Sequence, residues 1–308
     1  MTTGTKLQRL LDSAFYHDFR RDKVAIASFI ILCIYVVACY TAPLIAPYNP
    51  YDPTIIDIMD SEIPPAWLDG GDSRFLLGTD AQGRDLFSTI LYGTRISLTI
   101  GICAVVLQAF LGISLGLISG YFGGRVDNFL MRLADIQLSF STLMVAIIVL
   151  AVFQALFGTE LYERLAILML ILVIGIAEWP QYARTVRASV LAEKKKEYVD
   201  AVRVIGLRPM RIMFRHILPN TLSPILVIST VQVANAIVSE AALSFLGLGM
   251  PVTQPSLGSL INSGFEFIFS GSWWITIIPG VVLILLVLVM NLLGDFLRDV
   301  LNPKLYKN

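Results

Sequence analysis

The chain has 308 residues, 56% of them apolar and only 15% charged, with a mean hydropathy of +0.73. A soluble domain of this length needs more charge to cover its surface, so the composition argues against a water-exposed globule. The 23 Lys and Arg balance the 23 Asp and Glu, and no basic tract is interleaved with aromatics, which argues against nucleic-acid binding.

Residues 1–23 form a polar N-terminal segment. Its last part mixes aromatics with bases (Phe15, Phe19, Arg20, Arg21, Lys23) and is expected to lie as an amphipathic helix along the inner leaflet. An apolar run over 24–42 follows. It starts too late and runs too long for a signal peptide, so it reads as a retained first membrane span. Further runs at 96–119, 138–157, 165–183, 222–246 and 275–294 give the other five, each able to complete its backbone hydrogen bonds internally, as hydrocarbon requires. The expected fold is therefore an all-α integral membrane protein of six transmembrane helices. Residues 24–95 supply the first span and an external loop, 96–294 a five-helix core, and 295–308 a cytoplasmic tail. With both termini in the cytoplasm, 19 of the 23 Lys and Arg fall on the inner side, as the positive-inside rule demands.

The connections carry more information than the spans. The first external loop, 43–95, is rich in turn formers. Within it Asp80 and Asp85 flank Gly83 and Arg84, a spacing suited to a self-bonded turn that caps a helix starting near Asp85. It reads either as a packed loop or as a docking surface in which Asp80, Arg84 and Asp85 meet an external partner. On the short inner loop, Arg125, Asp127, Arg132 and Asp135 read as solvated caps in preference to a gating role. The fourth span loses its apolar character at Glu178-Trp179-Pro180, which is expected to be a kinked helix end at the inner interface, where Trp commonly anchors.

The inner loop over 197–220 predicts a hairpin of two short helices, within 194–219. Gly206 supplies the positive φ that a helix end favours, Pro209 suits the first turn of the next helix, and Pro219 ends it. Val199, Val202 and Ile205 recur at helical spacing on one edge. The hairpin reads either as an interfacial helix on the inner leaflet or as a ball that seats in a socket on another protein.

In the fifth span Glu240 is an ionisable group in hydrocarbon, and such groups face a cavity or a partner. Gln232, Asn235 and Ser239 precede it at near-helical spacing, so these four residues are candidates for a translocation path, with a plain inter-helix hydrogen bond, or for Glu240 an end-of-span position in the headgroup layer, as the other readings. The connection 247–274 is apolar and broken by Gly and Pro, which predicts a short re-entrant or capping helix. Trp273 and Trp274 read as interfacial anchors. The cysteines Cys33, Cys39 and Cys103 fall inside apolar runs and read as packed or lipid-facing thiols. No C-x-x-C pair, phosphate loop, nucleophile–base pair or paired carboxylates point to a metal site or an enzyme.

The hairpin resembles the E-A-A motif of bacterial ABC-importer permeases. Asp200, Ala201 and Val202 take the E-A-A positions, Gly206 the glycine, His216 an isoleucine, and Leu218-Pro219 the end; the spacing is kept, with Asp, Val and His as departures. I-A-P-Y-N-P at Ile45, L-L-G-T-D-A-Q-G-R-D at Leu76, G-Y-F-G-G at Gly120, L-S-F-L-G-L-G at Leu243 and the ending G-D-F-L-R-D-V-L-N-P-K-L are similar to the dipeptide/oligopeptide/nickel permease family, on the side of its shorter-looped C-type subunits. The resemblance implies a multi-pass protein of the bacterial inner membrane that imports short peptides, or another small solute such as a nickel chelate. It would share a path with a homologous second permease, receive substrate from an external binding protein, and be driven by two cytoplasmic ATPase subunits that hold the ATP and Mg; no cofactor is expected in this chain. Glu197, Tyr198, Asp200, Ala201, Gly206, Leu207, Arg211 and His216 would then form the surface coupled to an ATPase. The alternative of another class is a membrane scaffold or channel that works without an ATPase.

Overall fold

The computed structural model describes residues 14–52 and 54–301, so the expectations for 1–13 and for the tail beyond 301 lie outside the described residues. The described residues fold as helices joined by turns. Helix α1 (Ala14–Arg21) leads into α2 (Lys23–Tyr40), and the Asp22 carboxylate caps α2 by accepting from the Val24 and Ala25 N–H groups at 2.9 and 3.1 Å. Phe19 meets Phe29 and Phe296 edge-on, which pins α1 against α2 and the C-terminal helix. A short α3 (Ala42–Ile45) opens the long loop that follows.

Helix α4 (Leu86–Phe122) starts where expected. Asp85 is its N-cap, accepting from the Ser88 N–H at 2.8 Å. Its 37 residues make a rod of about 55 Å, longer than the hydrocarbon core of about 30 Å, so ten residues extend it before the expected span. Then come α5 (Gly124–Leu138), α6 (Thr142–Phe157), α7 (Thr159–Glu193), the hairpin helices α8 (Glu197–Val204) and α9 (Pro209–Ile212), α10 (Leu222–Phe245), α11 (Leu257–Phe265) and α12 (Trp274–Val300). By length and apolar composition α2, α4, the helical run Pro209–Phe245 and α12 can each cross a membrane; α5 and α6, bent by 81° at their junction, pass the same test only when taken together as one broken span. The most extensive helix pairing is α4 against α7, with α10 packed beside both. One core cluster lies among α4, α6, α7, α10 and the hairpin, and a second joins α4, α11 and α12. The cap expected over 247–274 is present as α11.

Several local readings are corrected. Helix α7 does not end at Glu178-Trp179-Pro180 but runs through Pro180 to Glu193. Trp179 is buried among Ala134 and Ala183 rather than anchored at an interface, and the Glu178 carboxylate accepts from Thr142 Oγ1 at 2.5 Å. The loss of one helical N–H at proline is offset by packing on either side. Trp274 is also buried, its indole N–H donating to the Thr79 carbonyl at 3.2 Å, while Trp273 stays exposed.

The segment read as a solvated inner loop is α5, and its acids are paired. Arg187 of α7 grips Asp127 through two bonds of 2.5 and 2.6 Å, Ser119 Oγ donates to the same carboxylate at 2.5 Å, and Arg184 pairs with Asp135. Because Arg187 and then Ser119 hold the Asp127 carboxyl below the usual carboxylate range, its contribution to stability is complete above the ordinary aspartate pKa of about 3.9. It fades as pH falls through the lowered value. Arg187→Ala is expected to cost about 2 kcal/mol, less than a fully enclosed pair because Arg187 stays partly exposed. Thermal unfolding in detergent checks both, with Asp127→Asn expected to remove the acid-dependent part.

Candidate functional site

The hairpin is built to keep its shape. Helix α8 ends in a Schellman motif: the Gly206 N–H bonds the Arg203 carbonyl at 2.9 Å and the Leu207 N–H bonds the Val202 carbonyl at 3.3 Å, with Gly206 at φ +81°. Helix α9 opens on Pro209, passes into a π turn (Met213–Ile217) and a 3₁₀ turn (Leu218–Thr221), and leads straight into α10. Val199, Ile212, Met213 and Ile217 are fully buried beneath it. Tyr198 ties the base: its hydroxyl donates to Glu193 at 2.7 Å and accepts from Asn220, whose amide also donates to the His216 carbonyl at 2.8 Å. Burial pushes the Glu193 carboxyl up, but bonds from Lys196 and Tyr198 outweigh it and leave the group below its ordinary range.

The eight hairpin residues singled out from the sequence therefore divide in two. Tyr198, Leu207 and His216 are half-buried and hold the hairpin together, whereas Glu197, Asp200, Ala201, Gly206 and Arg211 face outward. The sequence reading missed the tip. Val204, Ile205 and Met210 are 89%, 74% and 61% exposed, an apolar knob beside Arg208 and Arg211. Ile205 thus leaves the buried edge on which its spacing placed it. The available signal was helical angle: at 3.6 residues per turn Val204 and Ile205 fall about 140° and 120° round the helix from Val199.

The four residues considered for a path also separate. Gln232 is buried and borders a cleft of about 1040 Å³ that also touches Gln181, Thr185, Ser223 and Arg298, between α7, α10 and α12. Asn220, at the hairpin's end, lines the same cleft. Asn235 is exposed and donates to Gln232 at 3.0 Å; Gln232 donates to Gln108 on α4 at 3.3 Å, and Gln108 to the Ile174 carbonyl of α7 at 3.4 Å. Gln108, which the sequence reading passed over, is thus the hub between three helices; an amide in the middle of an apolar run was its signal. Ser239 is half-buried, and Glu240 is sealed inside the chain away from the cleft.

In the loop before α4, Asp80, Arg84 and Asp85 turn inward rather than outward, each no more than 4% exposed. Arg84 pairs with Asp80 at 2.7 Å and donates to the Val252 carbonyl at 2.9 Å, which clamps the loop onto the segment before α11. Burial is the main influence on Asp85 and raises its carboxyl above the ordinary range, despite the bonds from Ser88.

Comparison with known proteins fixes what this architecture belongs to. Residues 112–307 match the family model of the binding-protein-dependent transport system inner membrane component. The chain belongs to that family. Residues 13–65 match the N-terminal transmembrane domain of oligopeptide transport permease C. The dipeptide transport system permease proteins DppC of Haemophilus influenzae and Escherichia coli K12 are 39% and 41% identical to it, over 94% of this chain and 94% and 92% of their own. An inward-facing MetNI methionine ABC transporter chain shares the fold, with a TM-score of 0.54 at 20% identity, covering 70% of this chain and 98% of that one.

This permease is accordingly a multi-pass, non-catalytic membrane component of a binding-protein-dependent ABC importer, and its place is the inner membrane. The hairpin and the cleft both lie within the matched stretch.

Proposed function

We propose that the permease forms half of a translocation path for short peptides and is driven through its hairpin by a cytoplasmic ATPase. The observation that carries this reading is the apolar tip of Val204, Ile205 and Met210, held out on a firmly packed base and continuous with α10, which lines the cleft. An exposed knob of this kind on a rigid mount suits a socket better than a lipid surface, because Asp200, Arg208 and Arg211 surround it with charges of both signs. In this reading Glu197, Asp200, Ala201, Gly206 and Arg211 border the ATPase contact, while Tyr198, Leu207 and His216 set its shape.

The names of the DppC relatives support short peptides as the substrate. Six spans with both termini inside, the fourth lying in α7, keep the hairpin on the same side as 19 of the 23 Lys and Arg. A homologous second permease completes the path on the open side of the cleft, so that Gln232 and Asn235 line it while Glu240 does not. Two ATPase subunits bind and hydrolyse ATP with Mg, and an external binding protein delivers substrate. Asp80, Arg84 and Asp85 serve docking by fixing the shape of the external loop, because buried side chains cannot meet a partner directly.

The test is recovery of the tagged chain from detergent-solubilised native membranes, with identification of what accompanies it. A second permease together with P-loop ATPases is the expected result. Recovery of the chain alone, under conditions that keep other membrane complexes intact, rejects the reading in favour of a scaffold or channel.

A further inference from the structure

Glu240 lies outside the path proposed above, yet it is fully buried and both its oxygens are occupied. Ser97 Oγ of α4 donates to Oε2 and Ser244 Oγ of α10 to Oε1, each at 2.7 Å. These two hydroxyls are also acceptors. Ser244 Oγ takes the Met250 N–H at 3.0 Å and Ser97 Oγ the Leu257 N–H at 3.4 Å. A serine hydroxyl has one proton, so each serine can serve the backbone as an acceptor only while its proton has somewhere else to go. Glu240 is that destination for both. One carboxylate thereby orients the two hydroxyls that hold the two ends of the segment 250–257, the stretch that leads into α11.

The cap is closely fitted as well. Leu257 and Leu260 are fully buried against residues of α4, α10 and α12. A Cβ on Gly258 would stand 2.3 Å from the Ala241 carbonyl oxygen, so α11 lies directly on the turn of α10 next to Glu240. At its other end α10 is continuous with the hairpin, since Pro209–Phe245 is one helical run. Pro209 and Glu240 are about 45 Å apart along it.

We propose that Glu240 is a positioning residue that latches the external cap onto α4 and α10, and that α10 carries movement of the hairpin to the cap through this latch. The second half rests on the coupling role proposed for the hairpin; the first does not. In Glu240→Gln an amide nitrogen replaces one acceptor oxygen, so one of the two hydroxyls loses the acceptor for its proton, and its hold on Met250 or Leu257 weakens.

The experiment places a reporter thiol in the cap, Leu260→Cys, in a chain whose Cys33, Cys39 and Cys103 are alanine. Labelling by a membrane-impermeant maleimide added from outside is then timed, in the assembled transporter, with and without ATP plus vanadate. The parent should label slowly and change its rate when nucleotide is trapped. Glu240→Gln should label about tenfold faster, as the loss of a buried hydrogen bond gives, and at the same rate with or without nucleotide. Ser97→Ala, which keeps the carboxylate, should move in the same direction to a smaller degree and guards against a misfolded Glu240 variant. Unchanged labelling in both variants overturns the latch. Fast labelling that still responds to nucleotide overturns the transmission. If ATPases do not accompany the parent, the coupling reading fails, while the nucleotide-free comparison still judges the latch.

Discussion

Replacing Ala201 with tryptophan is expected to strip the ATPase from the complex while leaving the permease folded in the membrane. Ala201 is exposed on α8, one turn before the Val204–Ile205 tip, and is not a member of the buried core beneath the hairpin. A bulky side chain there has free space in the isolated permease and none in a fitted socket. Overfilling a packed contact costs roughly 1–3 kcal/mol, so the ATPase recovered with the tagged chain should fall to about a tenth.

Gly206→Val is expected to reach the same result by another route. A β-branched residue cannot hold φ +81° without strain, so the Schellman turn opens and the knob loses its mount. The two variants differ in a protease test: cleavage within 197–211 should quicken in Gly206→Val and stay at the parental rate in Ala201→Trp. Normal ATPase recovery with Ala201→Trp would return the hairpin to the lipid surface.

What the sequence made legible follows the range of the physics involved. Short-range rules carried well. Apolar runs gave helices, Asp85 capped α4 from the spacing of its turn, and Gly206 and Pro209 marked the hairpin because a positive φ and a fixed φ are local demands. Readings that depended on a distant partner fared worse. Asp127 looked solvated because Arg187 lies 60 residues away, and Asp80 and Arg84 looked available for docking because Val252 is far along the chain. The stripe of Gln232, Asn235 and Ser239 with Glu240 beside it does share one broad side of α10. That side straddles the boundary of the buried surface, however, so Asn235 emerges at one edge while Glu240 is enclosed at the other. Helical period alone cannot place that boundary, which is set by the positions of α4 and α11.

The other large effect is expected where α4 crosses α7. Gly112, Gly116 and Gly120 recur every four residues and so share one side of α4. A Cβ on Gly112 would stand 2.3 Å from the Tyr182 Cβ and 2.6 Å from the Trp179 carbonyl oxygen; on Gly116, 2.6 Å from the Ala183 carbonyl; on Gly120, 2.8 Å from the Val190 Cβ. Between helices in lipid there is no hydrophobic drive to hold the pair, since the tails are as apolar as the side chains. Close backbone approach at small residues supplies the attraction instead. Gly112→Ala places its methyl against backbone that cannot rotate away, so the helices must separate by about 1 Å or more, and dispersion contacts weaken along the whole crossing. Ser119 of α4 and Arg187 of α7 share the Asp127 carboxylate of α5, so that ion pair loosens along with the packing. The expected cost is about 3 kcal/mol, read as a lowered unfolding midpoint in detergent and a smaller yield of assembled protein. Gly280→Ala is the matched control, because a Cβ there meets nothing within 4 Å and alanine is the better helix former. It should be neutral or slightly stabilising. If Gly112→Ala behaves like Gly280→Ala, the two helices are held by something other than their glycine contact, and the packing account of this fold fails at its largest interface.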